Sequence, residues 1–179
     1  MSLKMFTMVG GISSQSINRK LFEQIKDYAK LDFDLFEIAA LPFFSQDIED
    51  NPPAAVMDFK KRAAAADGVL IITPEYNRSM PGVLKNALDW GSRPPGQNIW
   101  NNKPAAIMGA SGGAIGTFGA QQHLRNVVSF LNMHAMSQPE FYFNFAGSSD
   151  QSGKINAASM EFIHKFLDAA ADWVASFKK

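Results

Sequence analysis

"GVLIITPEYNRSMPGVLKNALDW", residues 68–90, changes character twice within a short space. Gly68 opens a continuous apolar run, "GVLIIT", with none of the polar alternation of a half-wet strand. Such a run is the mark of a central parallel strand covered on both faces. Pro74 follows directly, then come an aromatic, an amide and two charged residues, and a helix resumes at Pro81 and runs through "VLKNALDW". Parallel strands need crossover connections, so the rest of the chain should repeat this cycle of strand, loop and helix.

Upstream, "KMFTMVG" from Lys4 reads as a buried strand. The helix after it repeats apolar residues at Ile17, Leu21, Ile25 and Ala29, which share one face. "FDLFEI", residues 33–38, is a second strand. Beyond the loop at 41–53, Asn51 before Pro52 marks a helix start, with a cap ahead of a proline that needs no N–H. Downstream, "KPAAIMGAS", residues 103–111, is a fourth strand, and a helix is expected over 120–131. "AMSQPEFYFNF", residues 135–145, contains the last strand, with Phe141, Phe143 and Phe145 alternating onto one core-facing side. A helix over 156–177 closes the chain. Five strands alternating with five helices imply an α/β fold, a doubly wound parallel sheet with right-handed crossovers. Residues 1–179 form one domain, in which Met1-Ser2-Leu3, ahead of Met5, reads as a remnant added before the natural start.

Composition narrows the function classes. The chain is 46% hydrophobic and 19% charged, which excludes a disordered protein. Lys plus Arg equals Asp plus Glu at 17 each, and this balance argues against nucleic acid or an anionic membrane as partner. Small molecules are the partners to expect. With no cysteine, disulfides, thiol catalysis and thiolate metal sites are excluded. His123, His134 and His164 have no metal-ligand spacing, so no metal is expected. No apolar run approaches membrane-spanning length and no leader-like segment opens the chain, so the expected location is cytoplasmic. Asp47, Glu49 and Asp50 read as a solvated acidic loop, and "GSRPPGQNI" between Trp90 and Trp100 as too rich in proline and glycine to be helical.

Ligands in doubly wound sheets sit beyond the carboxyl ends of the strands, which directs attention to the loops after strands one, three and four. Loop one, residues 10–18, lacks the dinucleotide spacing G-x-G-x-x-G and the lysine of a Walker loop. It offers instead Gly10 and Gly11, which free the backbone, and the hydroxyls of Ser13, Ser14 and Ser16 at a helix N-terminus, where an anion is favoured. Asn18 adds a side-chain amide. A plain helix cap needs one serine, Ser14 or Ser16, and leaves the others unexplained. Loop two, "PEYNRSMPG", residues 74–82, presents Tyr76 as a ring neighbour for a flat heterocycle; Glu75 taken alone reads as a solvated carboxylate. Loop three, residues 111–119, holds four glycines where a tight turn needs one, so the excess favours close approach to a ligand.

Together, "GGISSQSIN", "PEYNRSMPGVLKNALDW" and "GASGGAIGTFGAQQHLR" resemble the NADPH-dependent FMN reductase family of flavodoxin-like proteins, which includes quinone, azo and chromate reductases. The likeness covers residues 4–131. It implies a flavodoxin-like five-stranded sheet in the order 2-1-3-4-5 and FMN held noncovalently across the three loops. Position by position, Ser13, Ser16, Ile17 and Asn18, beside Gly10 and Gly11, match the phosphate loop. Pro74, Glu75, Tyr76 and Asn77 match the loop along the isoalloxazine, and Ser111, Gly112, Gly113 and Gly116 the third loop. The family's usual Gly-Ser-x-Arg start is altered: Gly11 stands for the serine and Ser13 for the arginine. Neutral donors therefore replace a bidentate charged contact to the phosphate.

The resemblance further implies NADPH or NADH as reductant, a small electron acceptor, and a homodimer or homotetramer. With hydride chemistry belonging to the flavin, no protein nucleophile is needed and a ping-pong cycle is expected. Arg78 and Lys85 are the candidates for the nicotinamide cofactor's 2′-phosphate. A flavodoxin-type electron carrier is the competing reading, set against it by this chain's neutral charge.

Overall fold

The apolar runs assemble as a parallel sheet because each is followed by a segment that carries the chain back to the same edge. The computed structural model describes residues 2–178. Its strands are β1 (Leu3–Val9), β2 (Leu31–Phe36), β3 (Gly68–Ile72), β4 (Pro104–Ser111), β5 (His134–Ala135) and β6 (Tyr142–Asn144). They lie in the order β2-β1-β3-β4-β5, with β6 also on β4, and every pairing is parallel. The expected order 2-1-3-4-5 is thus found, and Leu3 already belongs to β1.

Side chains of the central strands alternate between two buried layers, as the two-residue period requires. Met5, Val9, Leu70, Ile72, Ala106 and Met108 pack with α1 (Ile17–Ile25) and α6 (Ala157–Ala175). Phe6, Met8, Val69, Ile71, Ala105 and Ile107 face α2 (Ala54–Ala65), α3 (Gly82–Ser92) and α4 (Phe118–Phe130). α5 (Phe145–Ser148) is a single turn after β6.

Several local expectations are corrected. α1 stops at Ile25, and Ala29 is exposed, because the chain must turn at Tyr28 to pair Leu31 with Leu3. The second strand accordingly runs over 31–36, not 33–38. α2 is capped by Pro53, not Asn51. A residue that precedes proline is pushed out of the helical region, so Pro52 cannot begin a helix with Pro53 behind it. The last strand is split. Between Ala105 and Gly109 of β4, its partner runs from Ala135 to Tyr142, an excess too long for a one-residue bulge. The chain leaves the sheet after Met136, whose N–H donates to Ala105 O, and Pro139, with no N–H to give the ladder, lies within the segment that stays off it. Phe141, Phe143 and Phe145 are nonetheless all buried in one layer, as their alternation predicts.

α3 continues through Ser92, and Trp90 and Trp100 on either side of the proline-rich segment are both fully buried. Their indole N–H groups donate to the carbonyls of Pro42 and Leu88. Glu49, expected to be solvated, is buried and paired with Arg93 at 2.9 Å. Gly91 lies directly under Trp100: an added Cβ would meet the indole at 2.2 Å. Gly91→Ala should therefore destabilise the fold by about 2 kcal/mol despite alanine's better helix propensity, read as a lower urea midpoint at unchanged slope.

Candidate functional site

Loop one is shaped by Gly11. A Cβ there would sit 2.2 Å from Ser16 Oγ, so glycine is what lets the Ser16 hydroxyl occupy the head of α1. Ser16 is the helix cap, its Oγ accepting from the Arg19 N–H at 3.2 Å, and Ser13 Oγ accepts from the Gln15 N–H at 3.2 Å. Both hydroxyls act toward the protein only as acceptors among the described residues, so each keeps an O–H proton to donate at the helix's positive end. Arg19 does not take the place of the missing arginine: its guanidinium is paired with Glu37. Asn18 is put to a different use from the one its sequence position suggests. Its side chain is 1% exposed, its Nδ2 donates to Ala110 O and its Oδ1 accepts from Ala110 N, both at 2.9 Å. The amide fastens α1 to the end of β4.

Loop two is a two-residue turn. Tyr76 and Ser79 exchange backbone hydrogen bonds at 2.9 and 3.0 Å, with Asn77 at φ +50° and Arg78 at φ +65°, the left-handed pair of a type I′ hairpin. Glu75 is not solvated: its side chain is 9% exposed. One carboxylate oxygen accepts from Ala120 N–H at 3.2 Å in the first turn of α4, where the helix dipole favours negative charge, and the other from Arg78 at 3.1 Å. Lys85 is engaged by Asp89 at 2.7 Å. Tyr76 keeps about half of its surface open.

In loop three, Ser111 Oγ donates to Gly113 O and accepts from the Gly116 N–H. Gly116, at φ +57°, abuts the Tyr142 backbone, where a Cβ would lie 2.4 Å away, so this glycine serves the fold. Gly112 and Gly113 differ. Neither has a left-handed φ, and no protein atom lies within 4 Å of where a Cβ would stand. Packing of the chain itself does not demand glycine there.

The three loops meet around one cleft of about 300 Å³. Ser13, Ser16, Ile17 and Asn18 line it from loop one, Pro74, Glu75 and Tyr76 from loop two, and Ser111 and Gly112 from loop three. Gln15 and Ala110 complete the wall; the sequence did not single them out, although Gln15 lies within loop one and Ala110 directly precedes Ser111. Gly10, Gly11, Asn77, Gly113, Gly116, Arg78 and Lys85 lie off the wall; Gly10 instead packs against Pro74 and Pro81. A larger groove of about 500 Å³ lies across α1's first turn but touches neither loop two nor loop three. Of the two, only the smaller cleft is lined by residues of all three loops. Outward O–H donors at a helix head beside a glycine-opened, tyrosine-edged slot fit the phosphate and the flat ring of FMN. Among the described residues no group of His, Asp or Glu is placed to hold a metal ion.

A sheet of this order with an anion-binding turn after β1 and two ring-flanking loops after β3 and β4 is that of a flavodoxin-like flavin-binding protein. The family model for NADPH-dependent FMN reductase matches residues 3–148. A 2-hydroxy-1,4-benzoquinone reductase from Burkholderia sp. is 47% identical over 97% of both chains. A quinone reductase from Pseudomonas putida is 43% identical over 93% of this chain and 92% of its own. The solved structure of FerB, a flavoenzyme NAD(P)H:(acceptor) oxidoreductase from Paracoccus denitrificans, superimposes with a TM-score of 0.91 at 38% identity, covering 97% of this chain and 98% of that one. The chain belongs to the NADPH-dependent FMN reductase family. It is an oxidoreductase that works with FMN and NAD(P)H.

Asn18→Ala removes both partners of Ala110 at once and leaves a buried N–H and C=O unpaired. The expected cost is about 2–4 kcal/mol in urea unfolding, together with weakened FMN binding as loops one and three lose their common anchor.

Proposed function

We propose that the chain reduces small quinone-type acceptors with NAD(P)H through FMN held in the three-loop cleft. The observation that carries this reading is the convergence of all three loops on one cleft whose serine hydroxyls still have protons to donate. Relatives named for quinone reduction, at 43 to 47% identity over nearly the whole chain, support the acceptor class.

In this reading Ser13, Ser16 and the first N–H groups of α1 hold the phosphate, and Pro74, Glu75 and Tyr76 with Ser111 and Gly112 flank the ring. The chemistry FMN supplies when bound is hydride acceptance from NAD(P)H and electron release to the acceptor. The Glu75 and Ser111 hydrogen bonds hold loops two and three in place, and backbone N–H groups of those loops left free by the protein would stabilise negative charge on a reduced ring. Because the flavin carries the electrons between the two half-reactions, donor and acceptor are expected to use its open face in turn. Arg78 and Lys85, the candidates for a 2′-phosphate, are already paired with Glu75 and Asp89, and comparable use of NADPH and NADH is expected. Exposed Ile115, Phe118 and Phe130 support a homodimer or homotetramer, and the absence of any described helix able to cross a membrane agrees with a cytoplasmic enzyme.

Anaerobic NADPH should bleach the visible flavin absorption of the FMN-loaded protein, and benzoquinone should restore it. Initial rates should give parallel double-reciprocal lines; intersecting lines, or turnover no faster than free FMN, would contradict the proposal. Because neutral donors meet the phosphate, the FMN dissociation constant should change less than about threefold between 0.05 and ~0.5 M salt.

A further inference from the structure

The groove across α1's first turn is contiguous with the flavin cleft, since Ser16 lines both. They meet at the phosphate end of the cleft, not at the ring end marked by Tyr76 and Gly112. Three cations, Arg19, Lys20 and Lys154, line the groove against one carboxylate, Glu23, which is engaged by Lys26 at 2.9 Å. Arg19 is paired with Glu37, whereas Lys20 and Lys154 make no ion pair among the described residues. The far wall is a built turn and not a loose loop. Asp150 Oδ1 accepts from Ser152 N, Ser152 Oγ and Lys154 N at 2.8, 2.6 and 3.0 Å. The Ser152 and Lys154 hydrogen bonds also hold the Asp150 carboxyl below the usual carboxylate range. Gln24 then ties this turn to α1, donating to Gly153 O at 3.0 Å and accepting from Ile155 N at 2.9 Å.

Loop one supplies a second, independent reason to look beyond the first phosphate. A guanidinium in the family's usual place suits the dianion of a phosphate monoester. Ser13 in its stead makes no such demand, and a singly charged phosphodiester satisfies hydroxyl and N–H donors equally well.

We infer that the groove is an adenylate subsite: the cleft and groove together accept flavin adenine dinucleotide, its flavin half where FMN binds and its second phosphate between Lys20 and Lys154. This rests on the FMN reading of the cleft. A dinucleotide continuing from the phosphate at Ser16 runs into the groove, whereas a nicotinamide dinucleotide must approach from the ring end.

The test uses full-length protein stripped of flavin and titrated with FMN and with FAD by flavin fluorescence. Wild-type protein should bind FAD within about tenfold of FMN. The double variant Lys20→Glu, Lys154→Glu should weaken FAD at least about tenfold while changing FMN less than about twofold, and unaltered FMN binding certifies its fold. The FMN-loaded variant should keep its KM for NADPH. FAD binding more than about a hundredfold weaker than FMN in the wild type, or equal losses of both flavins in the variant, would overturn the subsite. A raised KM for NADPH with FAD affinity unchanged would overturn it too, by placing the nicotinamide cofactor's adenylate there. Failure of the wild type to bind FMN would instead remove the proposed function on which the subsite rests.

Discussion

The site exists because Asn18 takes the place of a strand. β3 pairs with β4 as far as Met108, whose carbonyl accepts from Thr73 N–H. The chain then turns away at Pro74, which has no N–H to offer. Two residues further along, Ala110 points its N–H and C=O toward the vacated side, and both must find partners once buried. The Asn18 amide supplies a donor and an acceptor at 2.9 Å each, so the first turn of α1 is held against β4 at the point where the sheet opens. Loop one and loop three are thereby neighbours before any ligand arrives.

The second tie runs through Glu75. By accepting from the Ala120 N–H it holds loop two to the head of α4, which follows loop three, and Arg78 balances its remaining oxygen. The hydrogen bonds that shape the cleft wall therefore lie within the protein and leave the Ser13 and Ser16 protons, the Tyr76 ring and the space over Gly112 and Gly113 for a guest. Donors fixed in this way require little reorganisation when charge develops, which is how a protein without a nucleophile contributes to hydride chemistry.

Much of this was legible in the residues. The continuous apolar run of β3, the excess serines and glycines, and the family likeness carried the sheet order, the three loops and the cofactor class. What escaped were long-range assignments. Asn18 meets a residue 92 positions away, and no local pattern distinguishes an amide that binds a phosphate from one that completes a strand end. Glu75 and Glu49 look solvated in sequence because their partners, Ala120 and Arg93, are set by packing. The cap at Pro53 was written in local chemistry and could be read from it: a proline forbids a helical predecessor.

The claim beneath all of this is that one guest is held by three loops at once. Titrating the isotope-labelled, flavin-free protein with FMN and following amide resonances tests it directly. Ser13, Ser16, Tyr76 and Gly112 should shift together, with one dissociation constant and one equivalent bound. Shifts confined to a single loop, or distinct constants for loop one and for loops two and three, would contradict it.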